Sequence, residues 1–386
     1  SSPEAGLVDE KRFSARWTGT FTAAESGETS FYLLNTGAAK VWLNGELILD
    51  NKVGTIASAA VDTESMTVST TINLEKGKPY SFKAEFSSGE MSQYALMRFS
   101  YMAPLGVAGN YLEDAVSLAE ESDAALVVVG LPDQYETEGH DRPNMQLPGA
   151  QNALVRAVVS ANPNTIVAVN AGAPVALPWA EKVDSIVLMY YPGQEGGHAL
   201  ADILFGDVTP SGKLTVSWPK QLADNPAYLH YPGRKDVHYG EGLFVGYRYY
   251  DAKGIDPLFP FGHGLSYTQF AYRDLKLPDE VHPGEEFKVS VIVENAGEVH
   301  GQEVVQLYIR DVASKLVRPV KELKGFTKVA LDPGESKVLT FKLSPRALSY
   351  YDPHKKAWVA EAGEFEVLVG SSSRDIRLQG TLKLVG

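Results

Sequence analysis

The residues of this chain best suited to chemistry lie in one segment, Gly130-Leu131-Pro132-Asp133-Gln134-Tyr135-Glu136-Thr137-Glu138-Gly139-His140-Asp141-Arg142-Pro143. Two carboxylates, Glu136 and Glu138, stand two residues apart. In an extended loop both project to the same side, about 7 Å apart by the strand rise. Two such carboxylates repel, so one holds its proton more tightly and suits a general acid. Arg142 can pair with Asp141 or with a glutamate and hold the loop's shape. The competing reading is a solvated acidic loop closed by an arginine ion pair, because structural charge networks also gather in such loops.

Other segments offer less. Gly193-Gln194-Glu195-Gly196-Gly197-His198 is glycine-rich at an expected helix start and could bind an anion through free N–H groups. It lacks both the Walker and the GxGxxG spacing, so a tight turn with close helix–strand packing is the better reading. The eight histidines are dispersed and none makes an HExxH pair, which argues against a metal site. No GxSxG elbow is present. No cofactor is called for.

The elements that must position the acidic segment follow from periodicity. Residues 124–129 form a continuous apolar run, which predicts a strand buried on both faces of a parallel sheet. The acidic segment leaves its carboxyl end, where open α/β sheets place ligands. Around it, residues 110–220 alternate helix and strand. Leu112, Ala115, Leu118 and Ala119 keep helical spacing, as do residues 150–161 and 194–205. Residues 165–169, 186–190 and 214–218 read as further strands, about four in all. That alternation predicts right-handed βαβ crossovers.

The flanks are β-rich. In residues 1–105 Phe13, Ala15 and Trp17 alternate with polar neighbours, as do Phe82, Ala84 and Phe86. Val41 to Leu49 predicts a hairpin about Asn44-Gly45, because a type I′ turn needs positive φ at both central positions. Residues 219–270 are a long Tyr-, Gly- and Pro-rich connector without clear periodicity, expected to pack through its aromatics. From 271 onward Phe287, Val289, Val291 and Val293, then Val305, Leu307 and Ile309, then Phe365, Val367 and Val369 alternate strictly, predicting an immunoglobulin-like sandwich of about seven strands. The tryptophans at 17, 42, 179, 218 and 358 are expected in the core.

At 386 residues the chain should hold several domains. Asp and Glu number 48 against 35 Lys and Arg, for a net charge of −13. That disfavours nucleic acid, whose phosphates need a basic face, and a polybasic membrane anchor. There is no cysteine, which excludes disulfide scaffolds and thiolate chemistry. No apolar run approaches the roughly 20 residues that span a bilayer.

The domain order and several motifs resemble the C-terminal portion of glycoside hydrolase family 3, the β-glucosidase type, over nearly the whole chain. Tyr135-Glu136-Thr137-Glu138-Gly139-His140-Asp141-Arg142 is similar to the family's acid/base loop. Leu204-Phe205-Gly206-Asp207-Val208-Thr209-Pro210-Ser211-Gly212-Lys213-Leu214 with Trp218-Pro219 resembles its second-domain signature. Tyr247-Arg248-Tyr249-Tyr250-Asp251 and Phe259-Pro260-Phe261-Gly262-His263-Gly264-Leu265-Ser266-Tyr267 resemble its connector. Arg16-Trp17-Thr18-Gly19 with Val41-Trp42-Leu43-Asn44-Gly45 is similar to the protective-antigen-type sandwich that some members carry as an insert. The resemblance implies a multidomain fold: a partial protective-antigen-like β-sandwich lacking its N-terminal strands over 1–108, an α/β sandwich layer with its aromatic connector over 109–270, and an immunoglobulin or fibronectin type III-like β-sandwich over 271–386.

It also implies a retaining exo-acting mechanism on terminal non-reducing β-D-glucosyl residues, in which one carboxylate attacks the anomeric carbon and another acts as acid and then base. The acid/base transfers to Glu138, because Glu-Gly-x-Asp-Arg is the closest local match; Glu136 is its rival, since loop lengths vary across the family. Tyr135, Asp141 and Arg142 would support the loop or the sugar. The implied substrate is a β-glucoside or cello-oligosaccharide. The alternatives are a β-xylosidase or related β-glycosidase, and a non-catalytic carbohydrate-binding or structural module. No Asp-Asp pair occurs in residues 1–105, which disfavours a calcium-dependent sugar site there and leaves a steric role at the mouth of the active site.

The family's nucleophile is an Asp on an N-terminal (β/α)8 barrel, and no such segment precedes residue 110. Glu136 and Glu138 cannot replace it, because a retaining pair flanks the sugar from opposite sides about 5–5.5 Å apart. The expectation is therefore a C-terminal fragment, cut in an exposed loop of the inserted sandwich. The barrel would be bound as a separate chain, and the fragment alone would lack activity and expose apolar sheet edges. A homo-oligomer is left open, and a secreted or periplasmic location is favoured, with any signal upstream of Ser1.

Overall fold

The computed structural model describes residues 13–24, 26–52, 67–88, 96–102, 111–132, 135–138, 141–233 and 235–386. The chain divides into two compact units, one of residues 1–125, 132–142 and 157–164, the other of 126–131, 143–156 and 165–386.

Among the described residues the first unit holds seven strands that form a sandwich. Its strands are β1 (Ser14–Thr22), β2 (Gly27–Asn35), β3 (Ala38–Leu43), β4 (Glu46–Lys52), β5 (Thr67–Leu74), β6 (Pro79–Ser87) and β7 (Met97–Met102). They form two sheets, ordered β1-β6-β3-β4 and β5-β2-β7. Strict alternation puts Phe31, Leu33, Val41, Leu49, Ala84 and Phe86 in one core. The β3–β4 turn is the expected one, with Asn44 at φ 49° and Gly45 at φ 86°. The Asn44 side chain adds a contact: its Oδ1 accepts from the Ser81 amide at 2.9 Å.

Helix α1 (Tyr111–Glu120) follows the sandwich, and the segment 162–164 braces the turn that leaves it. Asn162 Nδ2 donates to Ala119 O (3.0 Å) and Ser122 O (2.8 Å), adding a side-chain donor to carbonyls at and just past the helix end. Asn164 Nδ2 donates to Asp123 O at 2.8 Å.

In the second unit the α/β layer runs β8 (Ala125–Gly130), α2 (Gln151–Ala161), β9 (Thr165–Asn170), β10 (Ser185–Leu188) and α3 (Gly196–Leu204). Both β8 and α2 cross between the two units. The sheet has three strands, ordered β10-β9-β8, rather than the expected four. Residues 214–218 are the missing one. They are not a strand, because their backbone pairs with the connector at isolated points: Leu214 N to His263 O, Gly262 N to Leu214 O, and Trp218 N to Phe259 O, at 2.8 Å each. Pro260 has no N–H to continue a ladder between them.

The expectation of a strand buried on both faces is also corrected for β8. Val127 and Val129 are buried, but Leu126 and Val128 are 46% and 58% exposed. β8 is the outer strand, and the described residues cover only one of its faces.

The connector contains a short helix that periodicity did not reveal, α4 (Tyr247–Lys253), closed by Gly254 at φ 63°. It presents aromatics as expected: Tyr247 stacks on Phe261 and meets Tyr308 edge-on.

The terminal sandwich comprises β11 (Phe270–Lys276), β12 (Glu280–Val281), β13 (Phe287–Asn295), β14 (Gly301–Asp311), β15 (Glu322–Leu331), β16 (Ser336–Leu343), β17 (Tyr350–Asp352), β18 (Ala357–Val359), β19 (Gly363–Gly370) and β20 (Ile376–Leu384). Two sheets, β11-β13-β16 and β12-β20-β19-β14-β15, enclose the core, one strand more than expected because β12 adds a two-residue parallel edge. β17 and β18 form a separate hairpin. The alternating valines and leucines of β13, β14 and β19 fill the interior as predicted.

Charges fasten this sandwich to the connector. Asp251 of α4, almost wholly buried, accepts from Lys321 Nζ at 2.5 Å and from Arg374 Nε at 2.7 Å. Lys213 Nζ reaches Glu303 Oε1 at 3.0 Å and Gly264 O at 2.9 Å. Burial pushes the Glu303 carboxyl above its ordinary range, and Lys213 pulls it back in part.

Three of the five tryptophans depart from expectation. Trp179 and Trp218 are buried with their N–H groups satisfied, by Asn152 Oδ1 (2.8 Å) and Val175 O (2.7 Å). Trp17 is half exposed because β1 is an edge strand. Trp42 lies on the outer face of its sheet with Lys83 Nζ 3.5 Å above its ring. Trp358 lies on the β17–β18 hairpin with the Arg346 guanidinium 3.6 Å above its ring.

Candidate active site

The site is built from the end of β8. Gly130 is its last residue, and no larger residue fits there: a Cβ would lie 2.1 Å from Asn170 O. Leu131, buried, then donates its N–H to Asn170 O at 3.0 Å, which extends the pairing with β9 by one residue. The sheet thus hands the chain into the acidic loop at a fixed point. The loop's first turn closes where Tyr135 N donates to Pro132 O at 2.8 Å.

That turn changes the expected geometry. Residues 135–138 run as turn, bend, a single β-bridge at Thr137 and turn, not as a continuous extended strand, so the regular same-side projection of Glu136 and Glu138 does not follow. The two carboxylates sit in different environments. Glu136 is half-buried and engaged with its surroundings, whereas Glu138 is exposed. Tyr135 is half-buried. Asp141 is exposed and Arg142 half-buried, and both take part in polar or electrostatic interactions. Gly139 and His140, between these pairs, lie outside the described residues, as do Asp133 and Gln134.

Beyond the loop the chain is anchored again. Met145 and Leu147 are buried, and Met145 O accepts from Ala176 N at 2.7 Å. Gln146 Oε1 accepts from Asn152 Nδ2 at 3.3 Å. The first residue of α2, Gln151, returns to the end of β8. Its Oε1 accepts from Gly130 N at 2.7 Å and its Nε2 donates to Gly130 O at 3.0 Å and Pro148 O at 3.2 Å. Sequence reasoning missed Gln151. A polar residue opening an apolar helix was its only signal.

The glycine-rich segment before α3 is a tight turn. Gly193 has φ 72°, and a Cβ on Gly196 would lie 2.5 Å from Pro192 Cγ. Among the described residues no cluster of His, Asp or Glu could hold a metal ion. An exposed carboxylate such as that of Glu138 is of a type that can transfer a proton.

The glycosyl hydrolase family 3 C-terminal domain matches residues 32–267, more than half of the chain. A fibronectin type III-like domain matches residues 303–373. The chain is 39% identical over 390 residues to a beta-glucosidase of Rhizobium radiobacter, across 98% of this chain and 47% of the relative. It is 51% identical over 281 residues to thermostable beta-glucosidase B of Acetivibrio thermocellus, across 72% of this chain and 37% of the relative. Among solved structures, the beta-glucosidase of Kluyveromyces marxianus in complex with glucose superposes with a TM-score of 0.84 at 39% identity, over 99% of this chain and 46% of that one. The chain spans less than half the length of these relatives.

Proposed function

Because the chain belongs to glycosyl hydrolase family 3, we propose that it supplies the general acid/base of a retaining exo-acting β-glucosidase, and that the group is Glu138. The observation that carries this is the contrast within the loop: Glu138 is open to an incoming ligand, while Glu136 is half-buried and already engaged. The relatives' names supply the sugar class. All three compared above are beta-glucosidases, and one was solved with glucose.

In this reading the protonated Glu138 gives its proton to the glycosidic oxygen as the bond to the anomeric carbon breaks. A second carboxylate takes that carbon on the opposite face. Glu138, now ionised, removes a proton from the water that displaces it, and the original configuration is restored. The second carboxylate comes from outside these 386 residues, on a (β/α)8 barrel, because Glu136 shares Glu138's short loop and cannot flank the sugar from the other side. The intact mass of the active species reports whether that barrel is a separate chain. Tyr135, Asp141 and Arg142 shape the loop around the acid/base. The division into 1–108, 109–270 and 271–386 is proposed with it, and the sugar preferred, glucose over xylose, is set chiefly by the barrel.

The test is E138A in the active enzyme, with E136A alongside. E138A should lose turnover on cellobiose, and azide should restore it on an activated aryl β-glucoside with β-glucosyl azide as product. Unchanged turnover in E138A together with loss in E136A would overturn the assignment.

A further inference from the structure

We infer that Gln151 is a positioning residue for the acid/base loop, acting through the backbone of Gly130; this rests on the role proposed for Glu138. The argument begins with strand direction. In a β-strand the N–H and C=O of one residue point to the same side, and successive residues alternate. Ala125 N donates to Asn164 O and Leu131 N to Asn170 O, so the odd-numbered residues of β8 face β9. Gly130 therefore faces the opposite, outer edge, where no strand of the described residues pairs with it.

Gln151 fills that place. Its side-chain amide offers Gly130 one acceptor and one donor at 2.7 and 3.0 Å, the pair of bonds a neighbouring strand would have made. Its bond to Pro148 O, at 3.2 Å, ties the same amide to the turn that opens α2. The acceptor and the donor group are both used, and among side chains of this length only a protonated glutamate could also supply both. The residue before the loop is thus held from both edges, by Asn170 through Leu131 and by Gln151. Gly130 also allows the closest approach of Asn170 O. Nothing else in the function assigned to the chain uses Gln151, and it lies 13 residues from Glu138 in sequence.

Gly130 is the residue from which the chain enters the segment that carries Glu138 eight residues on, and a misplacement of about 1 Å in a reacting group costs on the order of 100-fold in rate. A glutamate at 151 has the right length but, when ionised, only accepts. It would face Gly130 O and Pro148 O without a donor, and on protonation it would regain one.

The experiment uses the active enzyme with Q151A, Q151E and the E138A control, assayed on cellobiose and on an activated aryl β-glucoside with and without azide. Q151A should lower kcat on cellobiose by about 10- to 100-fold, with KM little changed. On the activated substrate with azide it should recover to near the wild-type rate, because an external anion replaces a misplaced base. Q151E should recover towards wild type as pH falls relative to Q151A. Equal loss on both substrates, azide or not, would mean that Gln151 only keeps the protein folded and would overturn the inference, as would wild-type turnover in Q151A. If E138A itself keeps its activity, the Glu138 assignment has failed first; if E138A loses activity and Q151A does not, the positioning role alone has failed.

Discussion

The loop after β8 and the junction between the connector and the terminal sandwich treat charge in opposite ways. The loop leaves the Glu138 carboxylate in the open at the end of a short turn. The junction hides its charges: Asp251 is held between Lys321 and Arg374, and Glu303 against Lys213, with little of these carboxylates reaching solvent. An exposed carboxylate adds almost nothing to stability and remains available for chemistry. A buried one is costly unless its partners are in place, so it fixes a single arrangement of the elements that carry them. On the role proposed for Glu138, carboxylates thus serve reaction in one region and assembly in the other.

The largest expected effect separates these uses. E138A should lower kcat on unactivated glucosides by about 100- to 10,000-fold, the usual range for a lost general acid/base. Its unfolding free energy should stay within about 0.5 kcal/mol of wild type, as for other surface changes. A large stability loss would break the contrast. D251A should do the reverse, costing about 3–5 kcal/mol in urea unfolding because it strands Lys321 without its carboxylate. Active-site titration should show that the folded fraction of D251A keeps its turnover.

A smaller effect should appear in acid. Burial alone would raise the Glu322 carboxyl, but Lys324, Arg318 and Arg248 outweigh it and hold the group below its ordinary 4.5. A carboxylate lowered in this way stabilises the fold fully above about 4.5 and loses that contribution as pH falls through the lowered value. Melting temperatures of wild type and E322Q should therefore differ most near neutrality and converge in acid. The smallest effect belongs to the first sandwich, where Arg16 pairs with Glu85 across an open sheet face at 2.9 Å. R16A should change stability by no more than about 1 kcal/mol, an effect that shrinks further in salt.

Much of this was legible in the residues. Strict alternation located β13, β14 and β19, and Asn44-Gly45 fixed its hairpin, because in each case a local pattern decides the structure. The acidic loop was legible from its composition and its place after an apolar run. What could not be read depends on distant partners. Residues 214–218 look like a strand, but their hydrogen bonds go to connector residues some 45 positions on. Trp42 and Trp358 carry core chemistry, yet each lies under a cation on an outer surface. The difference between Glu136 and Glu138 lies in their burial, which spacing alone does not show. Gln151 was invisible for the same reason, since its value lies in a glycine 21 residues upstream.

The outer margin of β8 has a practical side. Gln151 occupies only its last residue, and upstream of it the bare aliphatics Leu126 and Val128 sit beside backbone groups with no neighbouring strand among the described residues. Such a margin is adhesive: it offers a template onto which a second molecule can add strand to strand. A concentrated solution of these 386 residues by themselves should scatter more light as it is concentrated and clear again on dilution.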